Sequence, residues 1–211
     1  MLSLDHIVFA CRELSAGAAW MEQQLGQPPV GGGQHPMMGT HNKLWRLEGA
    51  YLEVIAIDPG ASDPGRKRWF ALDDPAMQAR LRGAPQLVTW VARSDDLDGD
   101  IARAPLDPGP VLRLTRDRLC WDLTVREDGA LHWGGVFPGL IQWPQGVASP
   151  AESLPDQGLR LAAFTAHGPE GMRQNLRQLG VGHILRAGRT TGAPALSALI
   201  ERADGRAVAF D

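Results

Sequence analysis

The sequence predicts an α+β fold assembled from three successive strand–helix–three-strand units. Three observations carry that expectation. Short apolar runs with a two-residue rhythm recur along the 211 residues. The two clearest helical patterns each follow such a run and stop at a glycine, Gly26 near the start of the chain and Gly180 near its end. Two stretches rich in proline and polar residues, 58–85 and 144–158, separate three segments of similar make-up.

In the first segment, residues 4–11 (LDHIVFAC) read as a strand covered on both faces. Leu14, Ala18, Met21 and Leu25 then recur at helical spacing, with Ser15 as the cap and Gly26 followed by Pro28 and Pro29 as the stop. Residues 30–33 form a weak strand or a flexible passage. Residues 43–47 and 51–57 are strands joined by the tight turn Glu48-Gly49-Ala50. The stretch that follows is a covering loop, anchored by Trp69 and Phe70.

The second segment opens with the strand 86–92 (QLVTWVA). Ser94, Asp95 and Asp96 cap a short helix that turns Leu97 and Ile101 inward. Strands follow at 111–115, 119–125 and 136–143, the last interrupted by Pro138 and Gly139 and therefore expected at an edge or a bulge. The third segment has a strand at 159–166 and a helix opened by Pro169, with Met172, Leu176 and Leu179 inward. Strands at 183–187, 196–201 and 207–210 complete it, the last two joined by the turn Asp204-Gly205.

The bulk composition narrows the function. Apolar residues make up 44% and charged residues 21%, with a net charge of −3 and no long run of one sign, so neither a nucleic-acid nor a membrane partner is called for. No apolar run approaches the roughly 18 residues that cross a bilayer. The N-terminus lacks a basic lead-in and Asp5 interrupts its apolar run, so no signal peptide is expected. Cys11 and Cys120 lie in no CxxC motif, which points to free thiols and a reducing, cytoplasmic setting. There is no GxGxxG and no P-loop, hence no nucleotide cofactor, and no Ser-His-Asp or Cys-His nucleophile spacing. Seven tryptophans against one tyrosine supply large flat surfaces for cores or pockets.

Two ionisable residues stand inside enclosed strands, His6 in the first and Glu53 in 51–58 (YLEVIAID). Regular alternation puts His6 on a face with Leu4, Val8 and Ala10, and Glu53 on a face with Tyr51, Ile55 and Ile57. An enclosed carboxylate without a partner is costly, so Glu53 requires a cation, a donor or a wet pocket. The pair reads either as site residues or as a core histidine bonded to a carbonyl and a glutamate answered by an arginine such as Arg46. His35, Thr40, His41 and Asn42 form a polar cluster that either contacts substrate or closes a turn through the Asn42 side chain. Trp121 and Trp143 floor a cavity or pack a core. Arg66 and Arg68 clamp an anion or belong to a solvated linker.

With these residues in view, the chain resembles the glyoxalase-like branch of the vicinal oxygen chelate superfamily, which includes glyoxalase I, extradiol dioxygenases and the fosfomycin and bleomycin resistance proteins. The resemblance covers nearly the whole chain. It rests on Leu4-Asp5-His6-Ile7-Val8, on Gly33-Gln34-His35-Pro36 with Gly39-Thr40-His41-Asn42, and on Tyr51-Leu52-Glu53. It rests equally on Leu87-Val88-Thr89-Trp90 with Asp95-Asp96-Leu97, on Trp121 with Leu123-Thr124, and on Leu140-Ile141-Gln142-Trp143.

The resemblance implies paired βαβββ modules forming a cupped mixed sheet that holds a divalent metal. Carried over, His6 and Glu53 match the first-strand and last-strand ligands of module one. In module two the first position falls at Leu87 or Val88, which cannot ligate, and the last at Gln142, which offers only an amide oxygen. The implied metal site is therefore His6, Glu53 and Gln142, with His35 or His41 as further candidates, and binding is expected to be weak or absent.

The expected organisation is a glyoxalase-like domain at 1–145, with modules at 1–58 and 86–145 and a linker at 59–85, and a third module at 158–211 that packs on the first two or on a second chain, as in a homodimer. The expected function is a small-molecule enzyme of isomerase, lyase or dioxygenase type, acting on an oxygen-bearing substrate in the cup. Glu53 and His6 are its catalytic residues, and His35, Thr40, His41, Asn42, Trp121 and Trp143 contact the substrate. The alternative is a binding or sequestering protein that uses the same cup without chemistry.

Overall fold

A computed structural model describes residues 1–116, 119–190 and 192–211. In chain order its elements are β1 (Ser3–Ala10), α1 (Leu14–Leu25), β2 (Gly31–His35), β3 (Thr40–Leu47), β4 (Ala50–Ile57) and α2 (Pro75–Arg80). Then come β5 (Gln86–Arg93), α3 (Leu97–Arg103), β6 (Val111–Arg116), β7 (Leu119–Thr124), β8 (Gly139–Gln142) and α4 (Pro150–Ser153). The last third holds β9 (Arg160–Gly168), α5 (Glu170–Leu179), β10 (Arg186–Arg189), β11 (Ala195–Glu201) and β12 (Ala207–Phe210). Among the described residues no helix is long and apolar enough to cross a membrane.

The first eight strands form one sheet in the order β2-β3-β4-β1-β5-β8-β7-β6. In each half the last strand returns parallel to the first, β4 beside β1 and β8 beside β5. The halves join through the antiparallel pair β1–β5. The outermost strands β2 and β6 approach each other, so the sheet curls into a nearly closed cup.

The third unit repeats the element order but not the pairing. Its order is β10-β9-β11-β12, with β10 parallel to β9 directly after the α5 crossover. A strand, a helix and an adjacent parallel strand form the ordinary crossover unit; here the hairpin β11–β12 adds on the far side of β9.

This second sheet packs on the convex face of the first. Phe9 meets Phe210 at 5.1 Å between ring centroids, and Trp90 meets Phe164 at 5.7 Å. Ile7, Phe9, Met21, Leu25, Trp90, Met172, Ile200 and Phe210 thus belong to one core spanning α1 and both sheets. A second core fills the concave side.

Local departures from the expected elements have local causes. The helix α1 starts at Leu14 with extended Glu13 before it and no side-chain cap; the Ser15 hydroxyl donates to the Glu13 carboxylate instead. Gly26 ends the helix in the left-handed region, at φ 69°. Gly17 lets α1 close on the sheet, because a Cβ there would stand 2.4 Å from the Cys11 sulfur. The expected strand 136–143 shrinks to β8, because Trp133, Gly134 and Gly135 all take positive φ and make a 3-10 turn before Pro138. The linker 59–85 contains α2, whose Asp74 side chain accepts from the Ala76 N–H at 2.8 Å.

One departure shapes the site. Pairing of β1 with β5 shifts between Leu4 and His6, which leaves Asp5 as an extra residue, a β-bulge. Regular alternation does not survive it: Leu2 and Leu4 join the convex core with Ile7 and Phe9, while Val8 and Ala10 face the cup with His6. Leu4 and His6 therefore do not share a face, contrary to the expectation from alternation.

Candidate active site

The bulge brings Asp5 and His6, adjacent in the chain, into contact with each other. Asp5 Oδ1 lies 2.7 Å from His6 Nδ1. The other carboxylate oxygen accepts from Arg93 Nε at 3.1 Å and from the Trp143 indole at 2.8 Å. Arg93 in turn donates to the Ser149 hydroxyl in the capping box of α4. Burial alone would push the Asp5 carboxyl up. The His6 hydrogen bond and charge, the Trp143 indole and Arg93 outweigh it and hold Asp5 below the usual carboxylate range. An ionised Asp5 accepts only, so His6 carries its proton on Nδ1 and turns Nε2 toward Glu53, whose Oε2 is 3.6 Å away.

Glu53 reaches this place from β4, where it is only 5% exposed. Its Oε1 accepts from Asn42 Nδ2 at 2.5 Å. The Asn42 amide is fixed from its other end, where Oδ1 accepts from the Gly33 N–H at 3.0 Å and from Arg116 Nη1 at 3.1 Å. Asn42 Nδ2 also faces His35 Nε2 at 3.4 Å, which makes that nitrogen the acceptor and leaves Nδ1–H to donate to Thr40 Oγ1 at 3.1 Å. Burial first, then the charges of Arg116, His6 and His41, push His35 down to about 3, so its ring is neutral. Tyr51 stacks on His6 with centroids 4.5 Å apart; burial and the charges of Asp5 and Glu53 push its phenol well above the ordinary value.

Opposite these polar groups the cavity is apolar. Trp121 and Trp143 meet at 5.5 Å between centroids, with Leu123 and Ile141 beside them. Trp69 and Phe70, stacked at 5.2 Å, cover the mouth. Phe70 and the next residue, Ala71, have φ of 58° and 56°, a region that costs L-residues roughly 1–2 kcal/mol each. The enclosed space is narrow. About 30 Å³ is open to the centre of a water molecule, against roughly 10–15 Å³ for one water, so any larger guest displaces part of the cover.

The cup thus brings together His6, His35, Asn42, Glu53, Trp121 and Trp143, with Thr40 supporting His35 from behind. Two expected residues are elsewhere. Gln142 is one residue out of phase with the cavity-lining Ile141, and its amide donates to the Asp95 carbonyl on the outside. His41, between Thr40 and Asn42 on β3, turns to the other face, 4.0 Å from Asp58. Arg68 is tied to Asp73 and the Gly39 carbonyl, and is not a free anion clamp. Sequence reasoning missed Asp5, Tyr51 and Arg116. The adjacency of Asp5 and His6 is a signal that could have found Asp5, and alternation argues against it.

The donor set does not fit a divalent ion. His6 Nε2 and Glu53 Oε2 face one another, but the second glutamate oxygen is engaged by Asn42 and the far wall offers only indoles, Leu123 and Ile141. The guanidinium of Arg116 shares the cup and repels a cation. Among the described residues, no group of three or more His, Cys, Asp or Glu side chains is arranged to hold a metal, and a catalytic zinc needs about three protein ligands.

A two-module cup with a carboxylate and an imidazole facing each other on its central strands defines a protein of the vicinal oxygen chelate class. The family model described as a glyoxalase-like domain matches residues 4–180, and the chain belongs to that family. Among solved structures, a hypothetical protein from Staphylococcus aureus is similar over 100% of this chain and 99% of its own, at 13% identity and a TM-score of 0.64. Methylmalonyl-CoA epimerase from Streptomyces coelicolor, in complex with 2-nitronate-propionyl-CoA, matches 68% of this chain and 99% of its own at 18% identity and a TM-score of 0.47. The epimerase from Mycobacterium tuberculosis matches 66% and 87% at 18% identity and a TM-score of 0.43. A comparison with curated proteins returns no match.

Proposed function

We propose that the protein is a small-molecule enzyme that moves a proton at the carbon beside a carbonyl, an isomerase- or lyase-type reaction carried by Glu53 and His6. One observation supports this above the others: two basic atoms, His6 Nε2 and Glu53 Oε2, face each other at 3.6 Å in an enclosed cavity, each backed by a partner that fixes it. A proton held by either member of such a pair can be handed to the other as the two close up. With the proton on His6, Glu53 is a carboxylate able to take a substrate proton; with the proton on Glu53, it is an acid able to return one.

The step balances without a co-reactant. Glu53 removes the proton from the carbon next to the carbonyl, the C–H electron pair becomes a carbon–carbon double bond, and the carbonyl pair moves onto oxygen as an enolate. The proton passes between Glu53 and His6, whose imidazolium form is stabilised by ionised Asp5. Return of the proton to either face or to a neighbouring atom completes an isomerisation; departure of a leaving group completes a lyase reaction. Asn42 holds Glu53 at a fixed angle, and Trp69 and Phe70 narrow the cavity around the reacting atoms.

The test is exchange of methyl protons for deuterium in D2O, followed by proton NMR with pyruvate and pyruvamide as small enolisable probes. The protein should accelerate exchange over buffer, and Glu53→Gln should abolish the acceleration while melting like the parent. Exchange no faster than buffer with both probes overturns the catalytic reading in favour of a binding protein.

A further inference from the structure

We propose that the guest of this cup is a small planar oxo acid, its carboxylate docked on Arg116 and the carbon beside its carbonyl turned to Glu53. This deepens the proton-transfer reading and rests on it for the placement of the reacting carbon.

Arg116 is the first support. It ends β6 at the seam of the cup, 9% exposed, and lines the cavity. Among the described residues its one hydrogen-bond partner is the neutral Asn42 amide oxygen, and no carboxylate lies within ion-pair distance of it. A guanidinium buried to this degree requires an anion or water to offset lost hydration, and its fork of donors matches a carboxylate.

The seam is built around this side chain. A Cβ on Gly33 of β2 would stand 2.6 Å from Arg116 Cδ, so the absence of a side chain at position 33 is what lets the arginine stem cross from β6 toward β2. The guanidinium carbon lies over the Trp121 ring, 6.0 Å from its centroid, which holds the cation against the aromatic floor.

The second support is a donor without an acceptor. The Trp69 indole is 4% exposed and lines the cavity, and its Nε1–H has no hydrogen-bond partner among the described residues. A buried N–H left unpaired is costly. A guest that brings a carboxylate offers Arg116 the anion, and Trp69 the acceptor, that neither finds among the described residues.

The third support is spacing and shape. Asn42 bridges the two functional ends, accepting from Arg116 and donating to Glu53. Cation and base therefore flank a single amide side chain, an arrangement that suits a guest whose carboxylate and acidic C–H are only a few bonds apart. The slot between the Trp69 and Phe70 cover and the Trp121 and Trp143 floor suits a flat skeleton.

The experiment is a titration followed by intrinsic tryptophan fluorescence, with pyruvate against its neutral isostere pyruvamide. Pyruvate should bind saturably, and pyruvamide at least tenfold more weakly. Arg116→Met should weaken pyruvate roughly tenfold to a hundredfold, the usual loss on removing a charged hydrogen-bond partner. Gly33→Ala, which displaces the arginine stem and keeps its chemistry, should weaken it severalfold and serves if the methionine variant does not fold.

Glu53→Gln should retain or strengthen pyruvate binding while losing proton exchange, which separates the two readings. Retained exchange in Glu53→Gln sinks the catalytic role and leaves anion recognition standing. Equal affinity for pyruvate and pyruvamide, no saturable pyruvate binding, or unchanged affinity in folded Arg116→Met and Gly33→Ala overturns the oxo-acid assignment.

Discussion

Acid should destabilise this protein through His35 in a measurable, site-specific way. The folded chain holds the His35 ring neutral, pushed down to about 3 by burial and by the charges of Arg116, His6 and His41. In the unfolded chain it titrates at about 6.5. Between those values the unfolded state binds more protons than the folded one, so stability rises with pH and is lost on acidification from about 6.5 downward. From pH 7.5 to 4.5 the difference integrates to about 3 kcal/mol. That figure barely depends on the folded value, since pH 4.5 already lies above it.

The measurement compares wild type with His35→Gln, which keeps a donor and an acceptor but does not titrate. Urea unfolding at both pH values cancels the contributions of Asp5, Glu53 and the other carboxylates common to both proteins. The variant is less stable at pH 7.5, and its deficit should shrink, or reverse, by about 2–3 kcal/mol at pH 4.5. Deficits that agree within about 0.5 kcal/mol at the two pH values would refute the claim that the ring is buried neutral.

Other perturbations follow from the same geometry. Asp5→Asn removes the acceptor that holds His6 in its Nδ1–H form, so nitrogen NMR should show a changed tautomer population; because Arg93 is 22% exposed and can rehydrate, the stability cost should be about 1–3 kcal/mol rather than the larger penalty of a fully buried pair. Gly135→Ala should cost more than about 4 kcal/mol or prevent folding, because φ is 100° and a Cβ would stand 1.7 Å from the Val88 carbonyl oxygen; a soluble variant with a near-parental melting curve would contradict this. Native protein at pH 8 should take up one iodoacetamide per chain, on half-exposed Cys120, since burial pushes the Cys11 thiol up to about 12; mass spectrometry showing alkylated Cys11 would show that α1 does not seal it.

Part of the fold and of the site is legible in the sequence alone. His6 and Glu53 stand out because an ionisable residue inside an apolar strand requires a partner, and they do face the same cavity. The order of elements is readable from hydrophobic rhythm and glycine stops. What is not readable depends on contacts between distant segments. Arg116 looks like one more arginine in a polar hairpin; only closure of the cup brings it to Asn42, 74 positions away. Gln142 and His41 are misplaced by a single step of alternation, which a strand's start point decides and composition does not. The pairing of the third unit depends on which side of β9 the last hairpin joins, a choice between two edges that the strand sequences themselves do not distinguish.

The extra residue at position 5 acts as a parity switch. Before it, even-numbered residues of β1 face the convex core; after it, odd-numbered ones do. Deleting one residue there would restore a single parity, with two outcomes open to the strand. Either the apolar N-terminal residues slide into the cup, or the imidazole rotates into the core among Trp90 and Phe9. Both cost far more than the lost residue itself. What cannot change by one is the count of residues between Leu4, in the convex core, and the imidazole in the cup. Any search for related sites must allow for that odd step, because a template that assumes regular alternation will place the acid and the imidazole on opposite sides of the sheet.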